Sequence, residues 1–469
     1  MSAWRILCSD ALDGFPSKQT PLDVQNDPLL DAPESAREYR RTVNSWAMYD
    51  WANSAFATVI MAAVFPVFFR ALARDGGLAN ADATAAWSYT NSAGMLIIAL
   101  AGPILGALAD VTRRVKRMTG IFAALGMLSA AALAWLDKGA WMAAAALFAL
   151  GTIGFSGSLI FYDSLLPHIA REGDLDRVSA RGYALGYVGG GLLLALNLAW
   201  LSRPSWFFMP DREFAMRACF VSVAVWWALF ALPFFRHVAE PLPESRRRHV
   251  GDLVAESFRR LAQTFRELRQ LRELALFLVA FWIYNDGIGT VIKLAVAYGD
   301  EIGIGQRDLL LALVITQGVG VPCALLFGRL GGWLGTKQAI LVGLGVYALI
   351  CTLGFFIKTA AHFYALAAVV GLVQGGTQAL SRSLFARMVP RRRSAEFFGF
   401  FSTGEKFAGI VGPLLFGLVA QLAGSSRWSI LSVAIFFVVG AALLMRVNEK
   451  EGQRVAAAAD AAPATAPNA

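Results

Sequence analysis

Apolar stretches of about twenty residues recur along the whole chain, and each can cross the roughly 30 Å hydrocarbon core of a bilayer as an α-helix. Charged or turn-forming residues separate them. Lipid leaves every backbone polar group to be satisfied within its own segment, so helices are expected. The chain is therefore predicted to be an all-α membrane protein with twelve transmembrane helices. The predicted spans are 46–69, 84–109, 118–136, 140–166, 181–201, 214–235, 274–298, 308–331, 338–357, 361–384, 397–421 and 428–446.

Composition supports this interpretation, because hydrophobic residues make up 57% of the 469 residues and charged residues only 16%. A soluble domain does not need so apolar a balance. The polar stretch 237–272 divides the spans into two six-helix halves, residues 44–236 and 273–446. From Val250 onward this linker has helical apolar spacing, which predicts an amphipathic helix on the inner membrane surface, with a solvated linker helix as the alternative.

The two ends of the chain differ from the spans. Residues 1–43 are polar, and residues 447–469 are rich in Ala and Pro. Both segments are predicted to be disordered cytosolic tails.

The placement of the basic residues predicts the orientation of the chain in the membrane. The chain has 42 Lys and Arg against 33 Asp and Glu, and the basic residues concentrate at 113–117, in the linker and at 387–393. Lys and Arg are enriched in cytoplasmic loops. Both termini are therefore predicted to be cytoplasmic, in a bacterial inner membrane. Because topology explains the positive charge, no nucleic-acid partner is predicted.

Sequence signatures of enzymes and metal proteins are missing. The chain contains no GxxxxGK[ST] loop and no HExxH, and its four cysteines form no CxxC pair. These patterns would indicate nucleotide, zinc or redox chemistry. We predict no catalytic residue, no metal site and no cofactor.

Short strings recur in the same order in the two halves. Thr58-Val59-Ile60 returns as Thr290-Val291-Ile292, which aligns Asn53 with Asn285. Asp163-Ser164-Leu165 returns as Arg382-Ser383-Leu384. This order predicts two pseudo-symmetric halves, as in transporters built from parallel repeats. Asp163 and Arg382 are predicted to form a gate pair at the cytosolic ends of helices 4 and 10, with a static salt bridge as the alternative.

Polar residues deep in the spans are candidates for substrate or ion handling, since charges inside a membrane usually face the bundle interior or a wet cavity. Asp286 and Lys293 lie two turns apart on helix 7, and Asp50 begins a polar stripe on helix 1. Structural roles such as capping, snorkelling or mutual neutralisation are the alternatives. The candidate substrate and coupling residues are Asp50, Asn53, Asn285, Asp286, Lys293, Gln374, Gln378, Glu405 and Lys406.

Three glycines on helix 5 indicate packing rather than chemistry. Gly182, Gly186 and Gly190 are spaced four apart. Small residues at this spacing let helix backbones approach closely.

The stretch GALADVTRR at 106–114 resembles the loop motif between helices 2 and 3 of the major facilitator superfamily, with Arg113 in place of the usual glycine. The resemblance implies that Asp110, with Arg113 and Arg114, acts as a gate by locking onto the start of helix 11. The second copy of the motif has Gly332 where the acid belongs, which puts a matching lock there in doubt.

Longer strings resemble one branch of that superfamily, which includes fungal autophagy-linked vacuolar amino-acid effluxers. They include WAMYDWANSAFATVIMAAVFPVFF at 46–69, FYDSLLPHIA at 161–170 and YNDGIGTVI at 284–292. The resemblance implies a monomeric secondary transporter of a small solute, with amino acids, proton coupling and efflux as expectations. The alternatives are an exporter of lipophilic drugs and, in a different class, a receptor or scaffold that does not transport.

Overall fold

The computed structural model describes residues 36–112, 114–240, 271–407, 411–423 and 426–461. Residues 36–40 open the first helix, and residues 41–461 form the bundle described below. Twelve helices within the described ranges are long and apolar enough to cross a membrane. The fold class predicted from the sequence is confirmed.

The twelve spanning elements are numbered in chain order. The N-terminal half holds α1 (Ala36–Ala55, continued by a π-helical segment Phe56–Val64 and by Phe65–Asp75), α2 (Asn80–Thr112), α3 (Val115–Ala132), α4 (Trp141–Ser164), α5 (Leu175–Ser202) and α6 (Arg212–His237). The C-terminal half holds α7 (Arg272–Glu301), α8 (Gln306–Leu334), α9 (Thr336–Gly354), α10 (Ala360–Met388), α11a (Ser394–Phe407), α11b (Val411–Ala423), α12a (Ser426–Ser432) and α12b (Ala434–Arg446). A further helix, α13, spans Glu449–Ala461.

Helix ends follow local chemistry. Asp211 precedes α6, and its side chain accepts a hydrogen bond from the Phe214 N–H. Thr359 caps α10 in the same way through the His362 N–H. Such caps satisfy N–H groups that have no partner inside the helix. Gly335 separates α8 from α9 with a φ of 91°, a conformation that residues with a Cβ rarely adopt.

Aromatic stacking fills the interior of each half. Phe65 of α1 stacks on Phe148 of α4, with ring centroids 4.5 Å apart. In the other half, Phe281 of α7 stacks on Phe401 of α11a at 4.0 Å. Aromatic pairs of this kind contribute about 0.5–1.5 kcal/mol beyond the area they bury. The core of each half therefore lies between its own helices.

One end of the bundle is defined by the end of α6 and the start of α7, and we call it the linker face; the opposite end is the far face. Several hydrogen bonds tie helix ends together at the linker face. Lys116 donates to the Val238 carbonyl at 2.8 Å, and Lys337 donates to the Val447 carbonyl at 2.7 Å. Glu273 accepts from the Asn448 N–H at 2.6 Å.

The prediction of a disordered C-terminal tail is wrong for residues 449–461, which form α13. Its alanines favour helix, and Gly452 lies against Met388 of α10. Asp460 accepts hydrogen bonds from the backbone N–H groups of Arg391 and Arg392 at 2.9 and 3.2 Å. Burial raises the pKa of Glu449, while the neighbouring Arg387 opposes the rise.

The predicted N-terminal tail is also too long, because α1 begins at Ala36. The predicted amphipathic linker helix falls almost wholly on residues 241–270, which lie outside the described ranges.

Candidate functional site

Arg382 of α10 lies at the centre of a charged cluster between the two halves. Its guanidinium donates to Asp163 of α4 at 2.7 Å and to Asp50 of α1 at 3.3 Å. It also donates to the Ser179 hydroxyl and the Ser179 carbonyl of α5, both at 2.9 Å. Only 3% of the Arg382 side chain is exposed. One arginine of the C-terminal half thus binds three helices of the N-terminal half.

Aromatic rings enclose this cluster. The guanidinium lies over the Trp46 ring at 5.0 Å and the Tyr183 ring at 4.5 Å. Trp46 stacks on Tyr162 with centroids 4.5 Å apart, and the Tyr162 hydroxyl donates to Asp50 at 2.9 Å. Cation–π contacts of this kind are stronger when water is excluded. The rings therefore hold Arg382 in one orientation toward both carboxylates.

The glycines predicted to pack helices face α1. A Cβ on Gly182 would stand 2.9 Å from the Arg382 guanidinium, so this position leaves room for the ion cluster. A Cβ on Gly186 would meet the Ser54 hydroxyl at 2.7 Å. The Gly190 carbonyl accepts a hydrogen bond from Thr58 at 3.1 Å.

Asp110, at the linker-face end of α2, caps α11a. Its carboxylate accepts from the Ala395 N–H at 3.1 Å and the Glu396 N–H at 2.7 Å. These are first-turn donors, and a negative charge there is favourable. Two basic residues were predicted to act with Asp110 as a gate. Arg114 is exposed, whereas Arg113 lies outside the described residues.

A second contact of this type uses an acid that the sequence analysis missed. Asp176, at the start of α5, forms an ion pair with Arg387 of α10 at 2.9 Å. It also accepts from Thr336 at 2.7 Å and from Ser383. Asp176 is the second residue of α5. Acids open many helices, so no sequence pattern distinguishes it.

The α7 candidates meet the far segment of helix 11. Asp286 is 4% exposed and accepts from the Gly412 N–H of α11b at 2.7 Å. Thr290 donates to the Asp286 carbonyl at 2.7 Å. Asn285 is 8% exposed. The side chain of Lys293 lies outside the described part of the structure.

The remaining candidates lie on α1, α10 and α11a. Asn53 is 2% exposed, and its amide nitrogen has no hydrogen-bond partner among the described residues. Gln374 and Gln378 are half-buried, with the Tyr187 side chain of α5 beside Gln374. Glu405 and Lys406 are also half-buried, and the charges of Glu405 and Arg382 both act on Asp163.

Helices α5 and α8 show how the two halves meet. They run antiparallel, and near the linker face they touch. A Cβ on Gly331 would stand 2.8 Å from the Asp176 carboxylate, and one on Gly328 would stand 2.6 Å from the Ala180 Cβ. A Cβ on Gly320 would still lie 3.8 Å from Tyr187. In each of these three contacts the two residue numbers add up to 507 or 508, as expected for helices that run in opposite directions.

Beyond Tyr187 the described glycines of the two helices no longer meet the opposite helix. A Cβ at Gly191 of α5 or Gly318 of α8 would meet nothing within 4 Å. Large apolar side chains near them are exposed: Leu192 by 53%, Leu198 by 44%, Leu313 by 44% and Val314 by 59%. The described close contacts between α5 and α8 therefore lie at Tyr187 and on its linker-face side.

Several known proteins are similar to this chain. The family model described as "Vacuole effluxer Atg22 like" matches residues 78–457. The uncharacterised MFS-type transporter YxiO of Bacillus subtilis is 38% identical over 415 residues, which cover 88% of this chain and 96% of the relative. Autophagy-related protein 22 of Eremothecium gossypii is 24% identical over 478 residues, covering 88% of this chain and 92% of that protein.

Solved structures share the fold. The proton:xylose symporter XylE aligns with a TM-score of 0.66 at 14% identity, covering 89% of this chain and 97% of its own. The facilitator FucP, solved in the outward conformation, aligns with a TM-score of 0.64 at 14% identity, covering 88% of this chain and 100% of its own.

Proposed function

Because this chain belongs to the Atg22-like vacuole effluxer family of the major facilitator superfamily, we propose that it is a secondary transporter that carries a small solute by alternating access. The observation that carries the proposal is the asymmetry between the faces. Arg382, Asp110 and Asp176 join the halves near the linker face, while the described close contacts between α5 and α8 end at Tyr187. Rocking one half against the other would break the first set of contacts and close the second region.

The gating roles are proposed for the residues that bind across the two halves. The ion pairs of Arg382 with Asp163 and Asp50 are proposed to hold the linker face closed at its centre. Two further contacts between the halves, Asp110 with the start of α11a and Asp176 with Arg387, are proposed to hold it closed beside them. In the alternate state all three separate, because each has its partners in different halves. Arg113 and Arg114 are proposed to support Asp110 from the same loop.

The substrate is proposed to bind at mid-depth, between α1, α7, α10 and α11a. Asn53 supports this position, because a buried amide nitrogen without a protein partner is satisfied by a bound solute or water. The half-buried Gln374 and Gln378 add amide groups on α10. Asn285, Asp286 and Lys293 are proposed to contribute from α7.

Proton coupling is proposed from the charge balance of the central cluster. Asp50 and Asp163 bind Arg382, and Glu405 interacts electrostatically with Lys406 and Arg382, so three acids share two cations and one negative charge is in excess. An unpaired charge away from water is costly. A proton on one carboxylate removes the excess, and a proton bound in one state and released in the other would couple transport to a pH gradient.

The cargo is proposed to be a neutral amino acid, moved outward. The effluxer relatives support this choice, and the mixed acid and base of the site suit the two charges of a zwitterion. Both termini are proposed to be cytoplasmic in a bacterial inner membrane, with the linker face inside. A basic surface there, at residues 114–117 and 391–393, supports the orientation.

Transport by purified protein in liposomes tests the proposal. Uptake of radiolabelled amino acids, with and without an imposed pH gradient, is expected to show saturable, pH-driven flux. Asp286→Asn is expected to abolish or uncouple it, while Asp308→Asn, in the first turn of α8, serves as a matched acid-to-amide control. If every amino acid enters no faster than it enters empty liposomes, the proposed amino-acid cargo is wrong. If uptake does not depend on the pH gradient, proton coupling is wrong.

A further inference from the structure

The turn between α5 and α6 presents three consecutive aromatic residues at the far face. A 3-10 segment, Pro204–Phe207, begins it. Trp206 is 71% exposed, Phe207 36% and Phe208 99%. Soluble surfaces rarely expose a contiguous apolar group of this kind without a binding role. The turn therefore has a surface that some apolar partner covers.

The turn is held rigid by its own backbone. The Trp206 N–H donates to the Arg203 carbonyl and the Met209 N–H donates to the Pro204 carbonyl, both at 3.1 Å. Phe208 has a φ of 57°, in the left-handed region, which a bulky residue adopts at a cost that Gly or Asn would not incur. A backbone outlier at a projecting aromatic points to a function for that side chain.

Its position relative to the membrane identifies the partner. The turn follows the span that ends at Ser202 and precedes the span that starts at Arg212. Nine residues in a hydrogen-bonded turn keep its tip close to the helix ends, at the level where a bilayer changes from hydrocarbon to headgroups. Tryptophan is enriched at that level. Phe214, 50% exposed on the first turn of α6, continues the apolar surface into the span.

Charge at the base of the turn fits lipid phosphate. Arg203 and Arg212 flank the aromatic residues, and the Arg203 guanidinium lies 5.2 Å from the Trp206 ring centre. Nearby acids have other partners: Asp211 caps α6, and Glu213 pairs with Arg217 at 3.0 Å. Two cations beside an apolar tip are the features of an interfacial anchor.

We propose that the turn formed by residues 203–209 inserts Trp206 and Phe208 into the bilayer interface at the far face, with Arg203 and Arg212 against phospholipid phosphates. The turn then fixes the far ends of α5 and α6 at the membrane surface. This anchor does not depend on the transported solute or on proton coupling.

The test places an environment-sensitive fluorophore on Phe208→Cys, in a full-length chain with Cys8, Cys219, Cys323 and Cys351 replaced by serine. Lys138→Cys, in the turn between α3 and α4 at the same face, is the control because its side chain is 74% exposed. In phosphatidylglycerol-containing liposomes, nitroxide-labelled lipids are expected to quench position 208 several-fold more than position 138. Aqueous iodide is expected to show the reverse order.

A second variant separates insertion by the protein from insertion by the dye. Adding Trp206→Ser to Phe208→Cys is expected to reduce lipid quenching and increase iodide quenching. Equal quenching at positions 208 and 138 would overturn the anchor. Protection from both quenchers, in liposomes and in detergent alike, would also overturn it, since a protein surface would then cover the turn.

Discussion

Replacing Arg382 with methionine tests the gating account, because the change removes the charge and keeps much of the side-chain length. The variant leaves Asp50 and Asp163 without the cation that binds them at 3.3 and 2.7 Å. Removing one partner of a buried ion pair costs about 3–5 kcal/mol. Opening the linker face hydrates both carboxylates, so the cost falls on the closed state.

That difference is large on the scale of a conformational equilibrium. Because about 1.4 kcal/mol corresponds to a factor of ten, the open population should rise by a factor of about one hundred to a few thousand. Ala180, which is 1% exposed and faces Gly328 of α8, reports the opening. In a chain without other cysteines, Arg382→Met should speed labelling of Ala180→Cys by a water-soluble maleimide by that factor. Labelling of Leu192→Cys should slow.

Arg177→Met is the matched control. Arg177 pairs with Asp174 at 3.5 Å but has 64% of its side chain exposed, and exposed pairs contribute only about 0–1 kcal/mol. Replacing Asp50 and Asp163 with asparagine in the Arg382→Met background should slow labelling again, since no carboxylate is then left unpaired. If Arg382→Met changes labelling no more than Arg177→Met does, the cluster does not hold the faces closed.

Three further changes probe the other contacts with the same labelling assay. Asp110→Ala removes the acceptor of two N–H groups of α11a, and loss of such a cap costs about 0.5–2 kcal/mol. The labelling rate at position 180 should therefore rise by up to about thirtyfold, and an unchanged rate would contradict a locking role of Asp110. Asp176→Ala leaves Arg387 with Glu449 at 3.6 Å and should raise labelling less than Arg382→Met does, because 17% of the Arg387 side chain is exposed and water can satisfy it. Gly182→Val places methyl groups against Asp50 and Arg382 and should open the linker face, whereas Gly345→Val, where a Cβ meets nothing within 4 Å, should not; equal effects of the two valines would refute the close-approach argument.

The spans could be predicted because a bilayer allows few alternatives: twenty apolar residues without a break have to form a helix. The tail shows where composition misleads. Residues 456–459 are four alanines, which suit either a disordered tail or a helix. The helix forms because Gly452 fits against Met388 and Asp460 accepts two N–H groups from the α10–α11a turn. Those partners lie about seventy residues away in sequence.

The candidate site could be predicted only in part, for a similar reason. The internal repeat aligned Asp163 with Arg382, and in the structure the two form an ion pair. Asp50 was grouped with substrate residues, and its contact with Arg382 depends on how α1 and α10 rotate toward each other. Asp176 resembles the charges that open many helices, so only its three-dimensional partners distinguish it. The Asp286 contact with Gly412 depends on how α7 and α11b pack against each other, which no local pattern revealed.

Two engineered disulfides test the central claim that the halves alternate about one site. Ala180→Cys with Gly328→Cys spans the closed contact; its Cβ atoms would stand 2.6 Å apart, so a shift of about 1 Å reaches the ~3.5 Å that a disulfide needs. Leu194→Cys with Leu313→Cys lies on the same antiparallel register beyond Tyr187, where the proposal has α5 and α8 apart in this state. Both pairs are introduced together into a chain whose native cysteines have been replaced. The account predicts that either disulfide forms but not both in one molecule, and that reduction restores transport. Both disulfides in the same molecule, or no disulfide at the far pair, would contradict it.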